Sequence, residues 1–175
     1  GRTYLGTMLP VLSAEQVRNA DRWTIDKQGI SSLDLLERAA ERCAAHILGS
    51  YRKETYGPDG KGSFVVLAGM GNNGGDGLVI ARILHEEGEN VRVIRIRTKE
   101  VASPDNQSNW HRINALNIPA EDLGLQLIKT VHISDDEVVV DALFGTGLSS
   151  PIEGALSQLI EQLNRSGRPV IAIDL

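Results

Sequence analysis

The sequence predicts an α/β protein in which a parallel sheet is covered by helices on both faces and preceded by a helical N-terminal segment. Three observations carry this. From residue 63 onward, short β-branched apolar runs alternate with stretches of helical periodicity. Ahead of residue 63, apolar residues recur at helical spacing only. A polar, glycine-rich run, AGMGNNGGDG at 68–77, stands where a strand hands over to a helix. Strands that alternate with helices need right-handed crossovers, and those place helices on both faces of a parallel sheet.

The elements follow in order. AEQVRNADRWTIDKQ, residues 14–28, is helical and stops near Gly29; Ser13 with Gln16 forms a capping box, and Leu12 and Val17 fall where a hydrophobic staple sits. SSLDLLERAAERCAAHILGSY, residues 31–51, is a second helix with Leu35, Leu36, Ala39, Ala40, Cys43, Ala44 and Ile47 on one face. GPDGKG is a turn. SFVVLAG is a strand, DGLVIARILHEEG a helix, NVRVIRIRT a strand and PDNQSNWHRINALN a helix. LQLIKTV, residues 125–131, is expected as the third strand, EVVVDALFG as the fourth and PVIAIDL as a buried fifth, with IEGALSQLIEQLNRSG helical between the last two.

The bulk numbers bound the function. A chain of 175 residues with 41% hydrophobic and 23% charged residues buries one sizeable core, so one domain is expected over 1–175. A net charge of −5 and 4% aromatic residues argue against a nucleic-acid partner. No apolar run is long enough for a membrane span, and GRTYLGTMLP has neither the apolar centre nor the cleavage site of a signal peptide. The lone Cys43 excludes an internal disulfide and fits a reducing cytoplasm. PVIAIDL reads as a strand on which the chain stops, so the sequence is expected to be a fragment truncated at its C-terminus.

The glycine run asks what approaches it. Residues 69–74 match G-x-G-x-x-G between a strand and a helix, the context in which free backbone N–H groups cradle a phosphate. A Walker loop is excluded because no Lys-Ser or Lys-Thr follows. An ordinary dinucleotide dehydrogenase fits poorly: an acidic residue is wanted near the tip of the next strand, where Arg95, Arg97 and Lys99 stand instead. Asn72 and Asn73 supply amide oxygens able to coordinate a hard cation. Asp76 is at least as well explained by capping the next helix as by touching a ligand.

Two further strand ends carry chemistry. Asp141 lies inside an apolar strand, where an ionised carboxylate is costly unless a cation or several donors satisfy it. Asp174 closes another apolar run, and FGTGL adds a second glycine loop. Two carboxylates beside glycine loops at strand ends suit acid/base or metal chemistry. His46, His85, His111 and His132 show no metal-ligand spacing, and Cys43 reads as core rather than nucleophile.

LSAEQVRNADRWTIDKQGISSLDLLERAA, AGMGNNGGDGLVIARIL, VVVDALFGTGL and VIAID occur in the order seen in the YjeF N-terminal domain family, the NAD(P)HX epimerases, and the chain resembles that family from about Leu12 to its end. The resemblance implies a Rossmann-like three-layer α/β/α sandwich, with helices over 12–57 and the Rossmann-like core over 63–175. It implies an isomerase of cofactor repair that interconverts the R and S epimers, at C6 of the nicotinamide ring, of hydrated NADH and NADPH. A dehydratase specific for the S form, separate or fused downstream, would be its partner. It further implies a potassium ion held by Asn73 and Asp141, and substrate contacts from Asn72, Asn73, Gly74, Gly75 and Asp76. A second ligand loop would comprise Gly145, Thr146, Gly147, Leu148, Ser149, Ser150 and Pro151, with Asp174 as the acid/base carboxylate at the nicotinamide. A homodimer through the N-terminal helices is expected from the family alone.

Two departures stand out. Ser149 and Ser150 occupy positions where members often carry an arginine, and the sequence ends at Leu175, before the Pro-Ser-Gly that follows the last aspartate in the family and whose serine is similar to a potassium ligand. The rival reading is a non-catalytic scaffold: the same domain occurs in mRNA-decapping proteins as a dimerisation or RNA-binding module. Retention of Asn73, Asp141 and Asp174 favours the enzyme.

Overall fold

The computed structural model describes residues 14–29, 31–57, 60–145 and 151–173. The chain divides into two compact units, residues 1–35 and 36–175. In the first, α1 (Ala14–Gln28) ends at Gly29, whose positive φ of 62° is the left-handed conformation that glycine adopts without strain. The expected capping box at Ser13 and its staple at Leu12 lie outside the described residues. Another box is present at Ser31: the Asp34 N–H donates to Ser31 Oγ at 3.0 Å, and the Ser31 N–H donates to Asp34 Oδ2 at 3.2 Å. It opens α2 (Ser32–His46), which passes into a π-helical turn at Ile47–Arg52 and the short α3 (Lys53–Tyr56).

The second unit is built on strands β1 (Ser63–Ala68), β2 (Asn90–Arg97), β3 (Ala120–Gly124), β4 (Val138–Ala142) and β5 (Val170–Ala172). They form one sheet in the order β3-β2-β1-β4-β5, every pairing parallel. Between them run α4 (Asn72–Glu86), α5 (Pro104–Ala115), a 3₁₀ turn at Leu125–Thr130 and α6 (Gly154–Arg165). Strand alternation divides the core in two. Phe64, Val66, Val93 and Val140 pack with Ala40, Ala44 and Leu78 on one face; Val65, Leu67, Ile94 and Val139 pack with Ile128, Leu159 and Leu163 on the other. Each of the Val, Leu, Ile and Phe side chains contributes about 1.5–3 kcal/mol by leaving water, and the alanines less. The parallel sheet with helices on both faces is the expected three-layer architecture.

Three element expectations need correction. The third strand is Ala120–Gly124, and residues 125–130 form the 3₁₀ turn. Leu125, Ile128 and Val131 are three apart, which suits a three-residue period, and only the last two are buried. The true β3 is polar because ion pairs join it to β2: Arg95 with Asp122 at 2.7 Å, and Arg92 with Glu121 at 3.8 Å. β5, expected as buried, pairs with β4 on one side and leaves Val170 at 42% exposure. Helix α4 begins at Asn72, four residues before the expected Asp76.

Candidate functional site at the carboxyl ends of β1 and β4

β1 is followed by Gly69, whose N–H donates to the Ala142 carbonyl at 3.0 Å and keeps the chain against β4 for one more residue. Gly71 then caps α4 in an extended conformation, and the Asn-Asn-Gly-Gly-Asp run becomes the first turns of the helix rather than a loop. The first N–H groups of any helix lack intrahelical partners and carry its positive dipole end. Asp76 therefore sits in the second turn, buried at 6% exposure, and is not the cap. Its charge is felt by Cys43, whose thiol burial first, and Asp76 second, hold above its ordinary range. Asn72 is exposed at the helix tip.

Glycine is required where α4 meets the sheet. A Cβ on Gly77 would lie 2.5 Å from the Ala142 Cβ, and one on Gly74 would run into the Gly69 carbonyl oxygen. Gly71 differs: nothing lies within 4 Å of a Cβ built there, and its φ of −91° suits any residue. No contact within the described residues asks for a glycine at that position.

Asn73 is turned inward, 7% exposed, and its Nδ2 donates to the Phe144 carbonyl at 2.7 Å. Its Oδ1 is buried with no hydrogen-bond partner among the described residues. Asp141 holds the same segment from the other side: Oδ1 accepts the Leu143 N–H at 3.0 Å. Burial raises the Asp141 pKa above the ordinary aspartate range, and the Leu143 N–H offsets only part of this. The Asp141 carbonyl accepts the Ile173 N–H at 2.8 Å, which brings the end of β5 alongside, immediately before Asp174. An orphaned amide oxygen and a desolvated carboxylate, both tied to residues 143–144, form a donor set suited to a hard monovalent or divalent cation. Among the described residues no cluster of three or more His, Cys, Asp and Glu side chains gathers, so oxygen from amides and backbone would have to complete any such shell.

Beside these groups lies a cavity of about 320 Å³, lined by Thr98 beyond β2, Leu125, Phe144 beyond β4, and Pro151 to Leu156 at the start of α6. Gly145 follows the lining residue Phe144, and a Cβ on Gly145 would press on the Asn73 side chain at 3.0 Å. Thr146, Gly147, Leu148, Ser149, Ser150 and Asp174 lie outside the described residues. The structure thus brings Asn73, Asp141 and Gly145 together around residues 143–145, sets Asn72, Gly74 and Gly75 in the first turn of α4, and places Asp76 one turn into the helix.

Arg95 is not available to a nucleotide phosphate. It is 8% exposed, donates through Nε and Nη2 to Asp122 at 3.2 and 2.7 Å, and lies 4.0 Å over the Trp110 ring. Arg97 and Lys99 remain exposed. Asn106 was not anticipated: wholly buried, it donates from Nδ2 to the Gly69 and Gly71 carbonyls at 2.9 and 3.1 Å. The available signal was an Asn in the first turn of the helix after β2, three residues after the capping Ser103.

A parallel α/β sheet with a glycine-rich strand-to-helix turn and polar side chains gathered outside its carboxyl ends defines a Rossmann-like ligand-binding domain. Residues 32–175 match the family described as YjeF-related protein N-terminus, and the chain belongs to that family. It is 38% identical to the NAD(P)H-hydrate epimerase of Limosilactobacillus fermentum, over 94% of this chain and 73% of that protein. With the bifunctional NAD(P)H-hydrate repair enzyme Nnr of Salinibacter ruber it shares 36% identity, over 95% of this chain and 32% of that protein. The crystal structure of yeast ynu0 (YNL200c) has the same fold, with a TM-score of 0.69 at 24% identity, over 95% of this chain and 70% of that one.

Proposed function

We propose that the protein is an NAD(P)H-hydrate epimerase, interconverting the R and S forms of hydrated NADH and NADPH for cofactor repair. The observation that carries the reading is that the orphaned Asn73 amide of α4 and the desolvated Asp141 carboxylate of β4 both hold residues 143–144, of which Phe144 lines a cavity, in a chain whose relatives are named for this activity. The dinucleotide would lie over the N-terminus of α4, where Asn72 to Asp76 supply backbone N–H groups and the exposed Asn72 amide. Its nicotinamide ring would enter the cavity lined by Phe144 and Leu156, between the turn and the second loop, Gly145 to Pro151. Asp174 would act as acid and base. A protonated carboxyl donates to the C6 hydroxyl, which leaves as water while the ring nitrogen lone pair forms a C=N bond; the carboxylate then takes a proton from water adding to the opposite face.

Potassium fits the residues present: among the described residues Asn73 Oδ1 has no hydrogen-bond partner and Asp141 has no cation acting on it. Bound there, the ion would supply a fixed positive charge that holds Asp141 ionised and the two loops together. Asp141 would then serve as ligand and leave proton transfer to Asp174. A cytoplasmic enzyme, pairing as a homodimer and acting with an S-specific dehydratase, completes the reading; among the described residues no helix is long and apolar enough to cross a membrane. The scaffold alternative has less support, since the relatives at 32–38% identity carry enzyme names.

A coupled assay tests the reading. Purified R-NADHX is mixed with an S-specific dehydratase, its phosphate donor and this protein, and the return of NADH absorbance is followed. Recovery faster than with the dehydratase alone is expected; recovery at the spontaneous rate would refute the activity.

A further inference from the structure

Three consecutive carbonyls of the β1–α4 turn are tied to the start of α5. The Ser103 N–H donates to the Met70 carbonyl at 2.9 Å, and Asn106 Nδ2 bridges the carbonyls on either side, Gly69 at 2.9 Å and Gly71 at 3.1 Å. The Asn106 N–H donates in turn to Ser103 Oγ at 3.4 Å, which holds the amide in place. Asn106 is wholly buried, and its Oδ1 has no partner among the described residues. Burying an amide with one acceptor unsatisfied is unfavourable, and an apolar side chain would fill the same space without that cost. What the amide adds is the bridge across the turn. The fit is close: a Cβ on Gly74 would lie 2.9 Å from Asn106 Nδ2.

We propose that Asn106 is a positioning residue for the ligand site. By joining the Gly69 and Gly71 carbonyls it sets the direction in which the chain leaves β1. It thereby fixes the first free N–H groups of α4 and the inward side chain of Asn73. Asn106 acts through the turn and touches no ligand itself. The inference rests on the reading of that turn as the dinucleotide-facing surface.

The test compares Asn106→Asp, which keeps the shape but at neutral pH puts an acceptor where the donor was, with Asn106→Ser, which retains one donor. Leu163→Ala is the control; it truncates a buried side chain at the far end of α6. Backbone hydrogen exchange over residues 69–77 and the KM and kcat for R-NADHX are measured on the full protein. Asn106→Asp is expected to raise exchange over that segment and KM by about tenfold or more each, with kcat within about threefold, and Asn106→Ser to fall between. The control, whatever its loss of Tm, should leave local exchange and KM at the wild-type values. Unchanged exchange over 69–77 in both Asn106 variants, or equal changes in the control, would overturn the proposal. If Asn106→Asp does not fold, the serine variant decides alone. If the wild type fails to epimerise, the proposed function falls, and the exchange measurement still decides the role of Asn106 in the turn.

Discussion

Gly71 offers a way to ask whether a ligand, rather than the fold, requires the glycine turn. A Cβ at this position meets no atom of the described residues within 4 Å, and φ of −91° with ψ of −169° is ordinary extended backbone, so serine fits without strain. Gly71 is the N-cap of α4, where no side chain now makes a capping hydrogen bond. Serine there would gain a few tenths of a kcal/mol as a cap, and restricting the unfolded chain would add about 0.4–1 kcal/mol. The sum of about 1 kcal/mol corresponds to a Tm increase of about 2–4 °C for a protein of this size. The new hydroxyl would also accept a hydrogen bond from one of the N–H groups assigned to the dinucleotide and stand in its path. Binding of the substrate, read as KM for R-NADHX, should therefore weaken by about tenfold, or about 1.4 kcal/mol. Scanning calorimetry and the epimerase assay measure the two effects on one preparation. A Tm that drops by several degrees would mean that the fold itself needs this glycine. A higher Tm with unchanged KM would mean that the ligand does not approach the turn.

Gly77→Ala should behave in the opposite way. Carbon atoms pack at about 3.5–4.0 Å, so a Cβ at 2.5 Å from Ala142 forces α4 away from β4. Overpacking of about 1–3 kcal/mol then exceeds the helix-propensity gain of about 1 kcal/mol, and thermal unfolding should shift down; a rise would contradict the close approach. Asp141→Asn should stabilise the protein at neutral pH. The folded pKa of Asp141 is raised, so the wild type loses stability as pH climbs from the ordinary aspartate range through that raised value, and the loss persists above it. Asparagine can still accept the Leu143 N–H and carries no charge. The Tm difference should shrink towards zero in acid, and potassium chloride at neutral pH should narrow it by stabilising the wild type; a difference independent of pH would refute the assignment of cause. Arg95→Lys should cost about 1–2 kcal/mol through loss of the two-pronged Asp122 contact and the stack on Trp110, lowering Tm without altering the NADHX to NADPHX preference. A changed preference would place Arg95 at the ligand after all.

The sequence announced the strands that are apolar and concealed the one that is not. β1, β2 and β4 are visible in FVVL, VRVI and VVV because both faces of a central parallel strand are buried. AEDLG joins the sheet through Arg92 and Arg95 on its neighbour, and those pairings appear only when the register is known. The start of α4 was hidden for a related reason. Gly74 and Gly75 are poor helix formers, and helical propensity places the start after them. In the fold, the close approach to Gly69 and Ala142 outweighs propensity. Asn73 and Asp141 were legible from residue type and motif, but their joint hold on residues 143–144 was not. Asn106 was the least visible, since its two acceptors are backbone carbonyls 37 and 35 residues back in the chain.

The most direct measurement is the approach of R-NADHX to the R/S equilibrium, followed by chromatography with wild-type protein, with Asp174→Asn and with buffer alone. The expected result is clear acceleration by the wild type in potassium, with Asp174→Asn folded and binding the substrate but no faster than buffer. Wild type and buffer at the same rate, or an Asp174→Asn variant as fast as the wild type, would contradict an epimerase that moves protons through Asp174.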